Sequence, residues 1–541
     1  MNSSDRYPGP GALRVALLAL AWLAATSWVR PLLLPDEGRY VGVAYEMLRS
    51  GDWWTPTLNG MPFFHKPPLF YWITAAAMST FGLHDAAGRV ASILGAWAAA
   101  MSLWWFVRRW CNERVATMTL LALLAQPLVY VGGQFANLDM LVAGCITVSI
   151  VTWADVLLRD PGGDAGKAAL AAGWIAMGLG VLAKGLIGVV IPVLVIAAAA
   201  LLGQRGARLW KLAWWPGIAL FVAITAPWFV VMQLRYPDFL HYFFVVQHFD
   251  RYAAGGFNNV QPIWFYGALL TAFCLPWLPW LWRAAGRLDS TADASSNARF
   301  VRMLMWVWTA AVVVFFSLPR SKLVGYILPA VPPLACLAAL GFASLRQPTR
   351  GQRFAWAGGL ALLAVLGLGA VAWFGLSPQK SSLPLAQAIR AQPQHTRPVF
   401  MLGRYDYDVP LYARLRDGVI VVDDWSSPGI RRSDNWRKEL LEAGDFAPTR
   451  AAELLLEPGE FESRLCSAGS AWVIGGADSE KSYPLLAAAR TASVYRGVKL
   501  WSVDESMTTN PALCRETPRA GLPSTSPAPR SAAPAQAPPG N

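Results

Sequence analysis

The 541-residue chain is 55% hydrophobic and only 15% charged, and its mean hydropathy is positive at +0.36. These values indicate a membrane protein with many spans. The formal net charge of +13 would suit a nucleic-acid-binding protein, but no nucleic-acid-binding motif accompanies it, so we expect no nucleic acid among the partners.

Eleven apolar runs are long enough, or nearly so, to cross a bilayer as a helix. They are residues 12–33, 88–107, 115–131, 139–157, 168–183, 185–202, 212–233, 262–283, 302–318, 323–343 and 354–376. Two further spans could lie where the longer runs break. An odd number of spans places the two termini on opposite sides of the membrane.

Basic residues collect in alternate connections between these runs. With the N-terminus taken as cytoplasmic, the cytoplasmic set is Arg6, Arg14, Arg108, Arg109, Arg114, Arg159, Lys167, Arg205, Arg208, Lys211, Arg283, Arg287, Arg299, Arg302, Arg346, Arg350 and Arg353. This is the positive-inside pattern, and it fixes the predicted orientation. The fewer cations on the outer side are Arg39, Arg49, Lys66, Lys184, Arg235, Arg251, Arg320 and Lys322. Because orientation disfavours them there, they suggest an anionic ligand.

The segment 34–88 connects the first two predicted spans on the outer side. The first helix is predicted to end at Leu34, with Asp36 and Glu37 at its mouth beside Arg39 and Tyr40. Lys66 follows, fixed by two prolines, with aromatic residues around it that include Tyr71. Acids, a lysine and aromatics at the membrane surface predict a site for a charged head group on a lipid tail. The alternative is a solvated loop with interfacial aromatic anchors.

Four further clusters lie on the outer face, and each has a simpler interpretation. Asp139 could only cap a helix, and Lys184 could snorkel to the interface. Residues 235–252 carry His241 and His248 and could form an amphipathic interfacial helix. The last cluster has cations on the disfavoured side, ahead of a span, and consists of Arg320, Lys322 and Tyr326.

The composition changes after Leu376, and the rest is predicted to form a small outer α/β domain over 377–516. Its predicted strands are 398–403, 418–424, 470–476 and 494–503, with helical patterns at 435–443 and 484–489. Cys466 and Cys514 both fall in this outer region, where they could form a disulfide. Residues 517–541 are rich in Pro, Ala and Ser and are predicted to be disordered. The membrane part is then 1–376.

The order DEGRY, GDWW-P-LNG, F-KPPL-YW, LDM, AKG, HFDRY and R-SKL--YILP resembles the bacterial lipid A aminoarabinose transferases. These belong to the polyprenyl-phosphate-sugar-dependent glycosyltransferases that include the protein O-mannosyltransferases. The resemblance covers about 34–333. It implies an all-α GT-C membrane bundle of 11–13 transmembrane helices with a small C-terminal α/β domain, in the bacterial inner membrane, with the active site facing the periplasm.

The resemblance also assigns roles to residues. It implies catalytic acids at Asp36 and Asp139, with Glu37 beside the first. Around the donor phosphate it places Arg39, Lys66, Lys184, Arg251 and Tyr326, and we add Arg320 and Lys322 from their charge. Other residues expected to line the site are Tyr40, His65, Tyr71 and His248. The family usually has Glu where this chain has His65, so a metal role at this position is in doubt, although an imidazole can still bind zinc.

The chemistry of these residues suits transfer from a polyprenyl-phosphate sugar. Fixed cations would stabilise charge on the departing phosphate, and a carboxylate would orient or deprotonate the acceptor. One displacement without a covalent intermediate predicts inversion. We expect a monomer that needs no cofactor and binds the donor, lipid A and membrane lipids. The alternatives are a related transferase acting on another glycan or on protein hydroxyls, and a lipid-linked sugar transporter.

Overall fold

Helices make up most of the computed structural model, which describes residues 10–159, 165–250, 259–286, 296–345, 347–376, 380–393 and 396–514. In the membrane region the helices are α1 (Pro10–Ala24), α2 (Asp36–Ser50), α3 (Leu69–Phe81), α4 (Asp85–Trp110), α5 (Glu113–Ala125), α6 (Pro127–Gly133), α7 (Leu138–Leu158), α8 (Ala165–Lys184), α9 (Ile187–Leu202), α10 (Trp215–Arg235), α11 (Phe265–Phe273), α12 (Leu278–Ala285), α13 (Ser296–Ser317), α14 (Val331–Ala343) and α15 (Arg350–Leu376). The 3₁₀ helices Gly206–Leu212, Leu275–Trp277 and Val324–Ala330 and the π-helix His241–Asp250 complete this region.

Each of the eleven predicted spans coincides with an apolar helix or with a bent pair of helices. In the described ranges, seven helices are long and apolar enough to cross a membrane alone, or up to nine if each bent pair is one span. The bent pairs break at Gln126 and Cys274, by 64° and 70°. Helices α1 and α9 are apolar but shorter. The predicted multi-pass bundle is confirmed.

The first helix is shorter than predicted. It ends at Ala24 rather than at Leu34, and turns and extended backbone lead from there to Asp36. Pro31 lies seven residues beyond the end of α1, and it keeps the helix from continuing to Leu34, because proline has no N–H to donate and would clash with a preceding helical turn. Arg89 donates hydrogen bonds to the carbonyls of Ser27, Arg30 and Pro31 in this non-helical stretch, and Arg30 also donates to the carbonyl of Pro31. Asp36 is therefore the first residue of α2 and does not stand at the mouth of α1.

The segment 34–88 is structured rather than an open loop. Helix α2 leads into a short antiparallel hairpin of β1 (Thr57–Leu58) and β2 (Met61–Pro62), and α3 follows. Gly38 and Gly42 form a small-residue face on α2 that Tyr407 contacts. A Cβ atom at Gly38 would lie 3.2 Å from the Cβ of Tyr407, so glycine allows the C-terminal region to pack closely on this helix.

The C-terminal region contains a six-stranded sheet with strand order β5-β4-β3-β6-β8-β7. Strands β3 to β6 are parallel, and β7 and β8 add an antiparallel edge. The strands are β3 (Val399–Leu402), β4 (Ile420–Val422), β5 (Leu455–Leu456), β6 (Ala471–Gly476), β7 (Arg490–Tyr495) and β8 (Val498–Val503). The helices are α16 (Leu383–Arg390), α17 (Val409–Tyr412), α18 (Trp436–Asp445), α19 (Pro448–Leu454), α20 (Phe461–Ser467), α21 (Ser479–Ser482) and α22 (Glu505–Thr508), with 3₁₀ turns at Ile430–Arg432, Pro458–Glu460 and Pro484–Ala488.

The structure confirms the small α/β region and corrects two details. The predicted strand 494–503 includes β8 but also a hairpin turn, because Arg496 and Gly497 adopt positive φ angles of 53° and 76° between β7 and β8. The short strand β5 was not predicted. Cys466 and Cys514 form a disulfide, with their Cα atoms 5.8 Å apart. The predicted disordered tail lies outside the described residues.

Candidate active site

The first turn of α2 holds three of the predicted site residues together. Arg39 Nη2 donates a hydrogen bond to Asp36 Oδ1 at 2.5 Å, across one helical turn. The same Nη2 lies 3.3 Å from the Tyr40 hydroxyl, and the guanidinium lies 4.8 Å from the centre of that ring. The Asp36 side chain is 37% exposed, whereas that of Arg39 is 16% exposed. The acid is thus accessible to a ligand while its cation is mostly covered.

The C-terminal domain covers the Arg39 side chain. Glu439 of α18 pairs with Arg39 Nη1, although the two residues are 400 positions apart. The Tyr407 hydroxyl donates to the other oxygen of Glu439 at 2.5 Å. A continuous chain of polar contacts therefore runs from Tyr407 through Glu439 and Arg39 to Asp36, and it holds the predicted catalytic acid in one orientation.

The charges around Asp36 set its acidity. Burial raises the pKa of this carboxyl above its usual range, Arg39 lowers it in part, and Asp139 and Glu439 raise it further. Desolvation outweighs the effect of the nearby arginine on this pKa. A carboxylate of somewhat raised pKa is a better proton acceptor.

The second predicted acid is paired with a lysine at the same end of the bundle. Asp139, in the first turn of α7, forms an ion pair with Lys184, the last residue of α8. The Lys184 ammonium also lies 4.2 Å from the centre of the Tyr326 ring. Gly325 makes this approach feasible, since a Cβ atom there would lie 2.1 Å from Asp139 Oδ2. Because Asp139 raises the pKa of Asp36, the two acids share one electrostatic environment.

Glu37 is placed differently from its neighbour Asp36. It is fully buried and accepts six hydrogen bonds, from Arg30, Arg89 and the backbone N–H groups of Leu33 and Ala136. Burial would raise the pKa of Glu37, but Arg89 and Arg30 outweigh it and hold the pKa at about 2. With both oxygens occupied, Glu37 ties the segment before α2 to α4 and to the start of α7, and this argues against its predicted catalytic role.

His65 contacts the C-terminal domain rather than a group of metal ligands. Its Nε2 lies 2.9 Å from Glu442 Oε2, and the Tyr242 hydroxyl donates to the same oxygen at 2.7 Å. Burial would raise the pKa of Glu442, but His65 outweighs it and lowers the pKa. Among the described residues, no three His, Cys, Asp or Glu side chains come together in a way that could hold a metal. Binding of zinc at His65 stays a prediction.

The remaining predicted residues fall into three groups. Lys66 is half-buried in the segment between His65 and α3, and Tyr71 is buried beneath Tyr40, with the two ring centres 6.5 Å apart. Lys322 is 3% exposed and donates to the carbonyls of Gln261 and Pro319, so it fixes its own turn, while Arg320 is exposed. Arg251 and the His248 side chain lie outside the described residues.

Glu439, Glu442 and Tyr407 of the C-terminal domain were not predicted to contribute to the site. Glu439 and Glu442 lie three positions apart on α18, so both face the membrane bundle. Both acids are buried in the structure, since Glu439 is 5% exposed and Glu442 is 8% exposed. Acids are rarely buried without a partner, but the sequence does not indicate that the partner lies on α2.

The chain is similar to one family model and to several named proteins. The family model described as dolichyl-phosphate-mannose-protein mannosyltransferase matches residues 15–243. The undecaprenyl phosphate-alpha-4-amino-4-deoxy-L-arabinose arabinosyl transferase of Aeromonas salmonicida is 34% identical over 354 residues. That match spans 63% of this chain and 63% of the relative, so the alignment covers less than two thirds of either protein.

The fold matches over nearly the whole chain. The crystal structure of ArnT from Cupriavidus metallidurans bound to undecaprenyl phosphate superposes with a TM-score of 0.77 at 24% identity, covering 92% of this chain and 99% of that one. Its apo form gives a TM-score of 0.75 at 23% identity, with 92% and 98% coverage. At this identity the likeness establishes the fold, including the presence of the C-terminal domain. Together with the sequence matches, it shows that the chain has the fold of these ArnT structures and is similar in sequence to an undecaprenyl phosphate-aminoarabinose arabinosyl transferase.

Proposed function

We propose that this chain is an inverting glycosyltransferase of the bacterial inner membrane. It moves a sugar, 4-amino-4-deoxy-L-arabinose, from an undecaprenyl-phosphate carrier to a phosphate of lipid A at the periplasmic face. The named relatives and the undecaprenyl phosphate in the ArnT crystal structure support the donor. The acceptor and the orientation are supported by the family resemblance and by the positive-inside pattern.

One observation carries the proposal. Asp36 is accessible and held by Arg39, and its pKa is affected by Asp139, whose own partner Lys184 lies against Tyr326. An acceptor-activating acid and cations for a leaving group therefore meet at one end of an apolar bundle. A polyprenyl tail would lie in the bundle, and its phosphate would lie at this end.

The proposed reaction uses these groups in turn. The cations, with Lys184 and Lys66 foremost, hold the phosphate of the donor and stabilise the negative charge that develops as the bond from the sugar to this phosphate breaks. Asp36 orients the acceptor on the opposite face of the sugar. A lipid A phosphate is already anionic and needs orientation rather than deprotonation, whereas a hydroxyl acceptor would transfer its proton to Asp36. Each displacement forms one new glycosidic bond and inverts the anomeric carbon.

The product has a simple electrostatic consequence. An amino sugar carries a positive charge at neutral pH, so its addition to a lipid A phosphate offsets part of the negative charge of that lipid. Cationic peptides such as polymyxin would then bind the modified surface more weakly, because their attraction depends on that charge.

The family model leaves a second acceptor class to test. The matching model is named for protein mannosyltransferases, which favours a hydroxyl acceptor on protein as the alternative. A lipid-linked sugar transporter would also need charges in the membrane, but transporters carry them near the bilayer midplane. In this chain the described charges of the site lie at helix ends, at Asp36, Asp139 and Lys184.

The test is a transfer assay with purified protein in detergent, where no membrane separates two compartments and transport does not occur. Undecaprenyl-phosphate aminoarabinose is supplied with lipid A, and mass spectrometry follows the acceptor. We expect lipid A to gain one aminopentose, and Asp36→Asn to reduce turnover by about 10²-fold with donor binding retained. The matched control is Asp424→Asn, an exposed acid of the C-terminal domain. Donor consumption with sugar appearing on protein would favour the alternative, and no consumption of donor would refute the transferase.

A further inference from the structure

The C-terminal domain contains a cavity lined by arginines, away from the candidate active site. Its volume is about 530 Å³, and it opens where β3 and β4 begin. The arginines that line it are Arg397, Arg414, Arg416, Arg450 and Arg464. Asp417 and Glu453 are the acids among the lining residues, so the lining carries a clear excess of positive charge.

Two of the five arginines are neutralised and three are not. Arg397 pairs with Asp504, and Arg450 pairs with Glu453, each at 2.6 Å. In the part of the chain that the structure describes, Arg414, Arg416 and Arg464 form no ion pair, and all three are exposed. Like charges that converge on one concavity repel each other unless an anion lies between them.

The cavity is joined firmly to the helix that carries Asp36. Tyr45 and Arg49 of α2 both donate to the carbonyl of Leu415, at 3.1 and 3.0 Å. Asn59 of the β1–β2 hairpin exchanges two hydrogen bonds with the backbone of Val419, at 2.8 and 2.7 Å. Helix α2 has 15 residues, so it spans about 22 Å from the site to this end. One extended ligand can reach both places.

We propose that this cavity, named the arginine cavity, binds a second anionic group of the acceptor. The ligand class is a phosphorylated or carboxylated sugar in the glycan of a polyanionic glycolipid, whose reacting phosphate lies at Asp36. Guanidinium groups suit this chemistry because their planar forks bind phosphate and carboxylate through paired hydrogen bonds. The volume suits one or two sugar rings, within the usual range of ligand pockets. The identity of the ligand as the acceptor rests on the proposed function.

The test measures binding to the full-length protein in detergent. The probe is a deacylated, phosphorylated oligosaccharide prepared from lipopolysaccharide, which lacks the acyl chains. The variant combines Arg414→Ala, Arg416→Ala and Arg464→Ala. The control combines Arg490→Ala, Lys481→Ala and Arg431→Ala, which remove three exposed cations of the same domain that do not line the cavity. Thermal unfolding checks that both variants fold.

We expect the cavity variant to lose at least about tenfold in affinity for the oligosaccharide, and the control to lose little, because several charge-assisted hydrogen bonds are removed. Binding by the parent protein should also weaken as salt rises. In the transfer assay the KM for lipid A bearing its glycan should rise while the KM for the donor is unchanged.

Equal affinity in the cavity variant and the control would overturn the proposal. The proposal would also be overturned if the cavity variant lost affinity only for phosphatidylglycerol vesicles, because the arginine cavity would then be a membrane contact. If no variant and no parent protein transfers sugar, the proposed function fails, but the oligosaccharide measurement still decides whether the cavity is an anion site.

Discussion

A single carboxylate of the C-terminal domain determines how Asp36, the proposed catalytic acid, is held. Glu439 and Arg39 form a mostly buried ion pair. Among the described residues, Arg39 is the only cation that forms an ion pair with Asp36. The Nε of Arg39 and the hydroxyl of Tyr71 are buried without a hydrogen-bond partner in the described part of the chain. Unpartnered buried donors cost about 1–3 kcal/mol each, which fits a site that a polar ligand completes.

Glu439→Gln should therefore change the pH dependence of transfer. Glu439 raises the pKa of Asp36, and its partner Arg39 lowers it. Without the negative charge the pKa of Asp36 falls, because one raising charge is lost and Arg39 pairs with Asp36 alone. Since the ionised acid is the active form, the acid limb of the kcat profile should move to lower pH.

The measurement is kcat and kcat/KM against pH for the parent protein, for Glu439→Gln and for Glu462→Gln, an exposed acid of α20. A residue that only supports the fold would lower the yield and leave the limb in place. An unmoved limb in folded Glu439→Gln would show that Glu439 does not act through Asp36.

Glu37 provides a contrasting prediction about stability. Its folded pKa of about 2 lies below its ordinary value, so the ionised form stabilises the fold above the ordinary pKa. That contribution is lost as pH falls through the folded pKa. Glu37→Gln leaves Arg30 and Arg89 without their carboxylate partner and should lower the free energy of unfolding by about 3–5 kcal/mol.

Thermal unfolding in detergent checks this against Glu113→Gln, which breaks the exposed pair with Arg108 and should cost less than about 1 kcal/mol. The parent midpoint should also fall at acidic pH, whereas that of Glu37→Gln should fall less. Similar midpoints for both variants at neutral pH would contradict the assignment of Glu37 to the structural network.

At the scale of elements, the sequence predicted positions better than contacts. Apolar runs located the membrane helices, because about 20 apolar residues have few alternatives to crossing the bilayer. The helical pattern at 435–443 and the strands at 399–402 and 471–476 were also predicted. The contacts of Glu439 and Glu442 with α2 and His65 span 400 and 377 residues. Local periodicity carries no signal for contacts at such separation.

At the end of α1, the predicted position of an element was itself wrong. Hydropathy extends the apolar run to Leu34, but the helix ends at Ala24. Arg30 and Arg89 can satisfy the exposed carbonyls of the stretch after α1, and Glu37 can neutralise both arginines. This network has members from α2, α4 and the segment between α1 and α2, so a window along the sequence does not reveal it.

The disulfide between Cys466 and Cys514 ties α20 to the last described turn of the chain. It closes a loop across a separation of 48 residues. The chain-entropy model gives such a link up to about 4 kcal/mol. We expect the double variant Cys466→Ser and Cys514→Ser to lower the denaturant midpoint of the C-terminal domain, and Cys111→Ser, a free thiol in the membrane region, to leave it unchanged. Coincident transitions for both variants would show that the link adds no stability.

For the whole molecule, the bundle separates two kinds of charge. Asp36, Asp139 and Lys184 lie at the ends of α2, α7 and α8, and at this end Arg39 of α2 contacts Glu439 of the C-terminal domain. At the opposite ends, α4 finishes with Arg108 and Arg109, and α15 begins at Arg350. The candidate active site and the arginine cavity are therefore on one side of the bundle, and the cations that predict its orientation are on the other.

The last prediction concerns this orientation. If the arginine-rich helix ends are cytoplasmic, a chain cut after Leu376 ends outside the cytoplasm, and one cut after Trp110 ends inside it. A fluorescent protein that matures only in the cytoplasm should be dark when fused after Leu376 and bright when fused after Trp110. A reporter phosphatase that folds only outside the cytoplasm should give the reverse at both positions. Immunoblots establish that both fusions are made. A bright fusion after Leu376 with a dark fusion after Trp110 would invert the topology, and it would place the site on the cytoplasmic side rather than on the proposed periplasmic side.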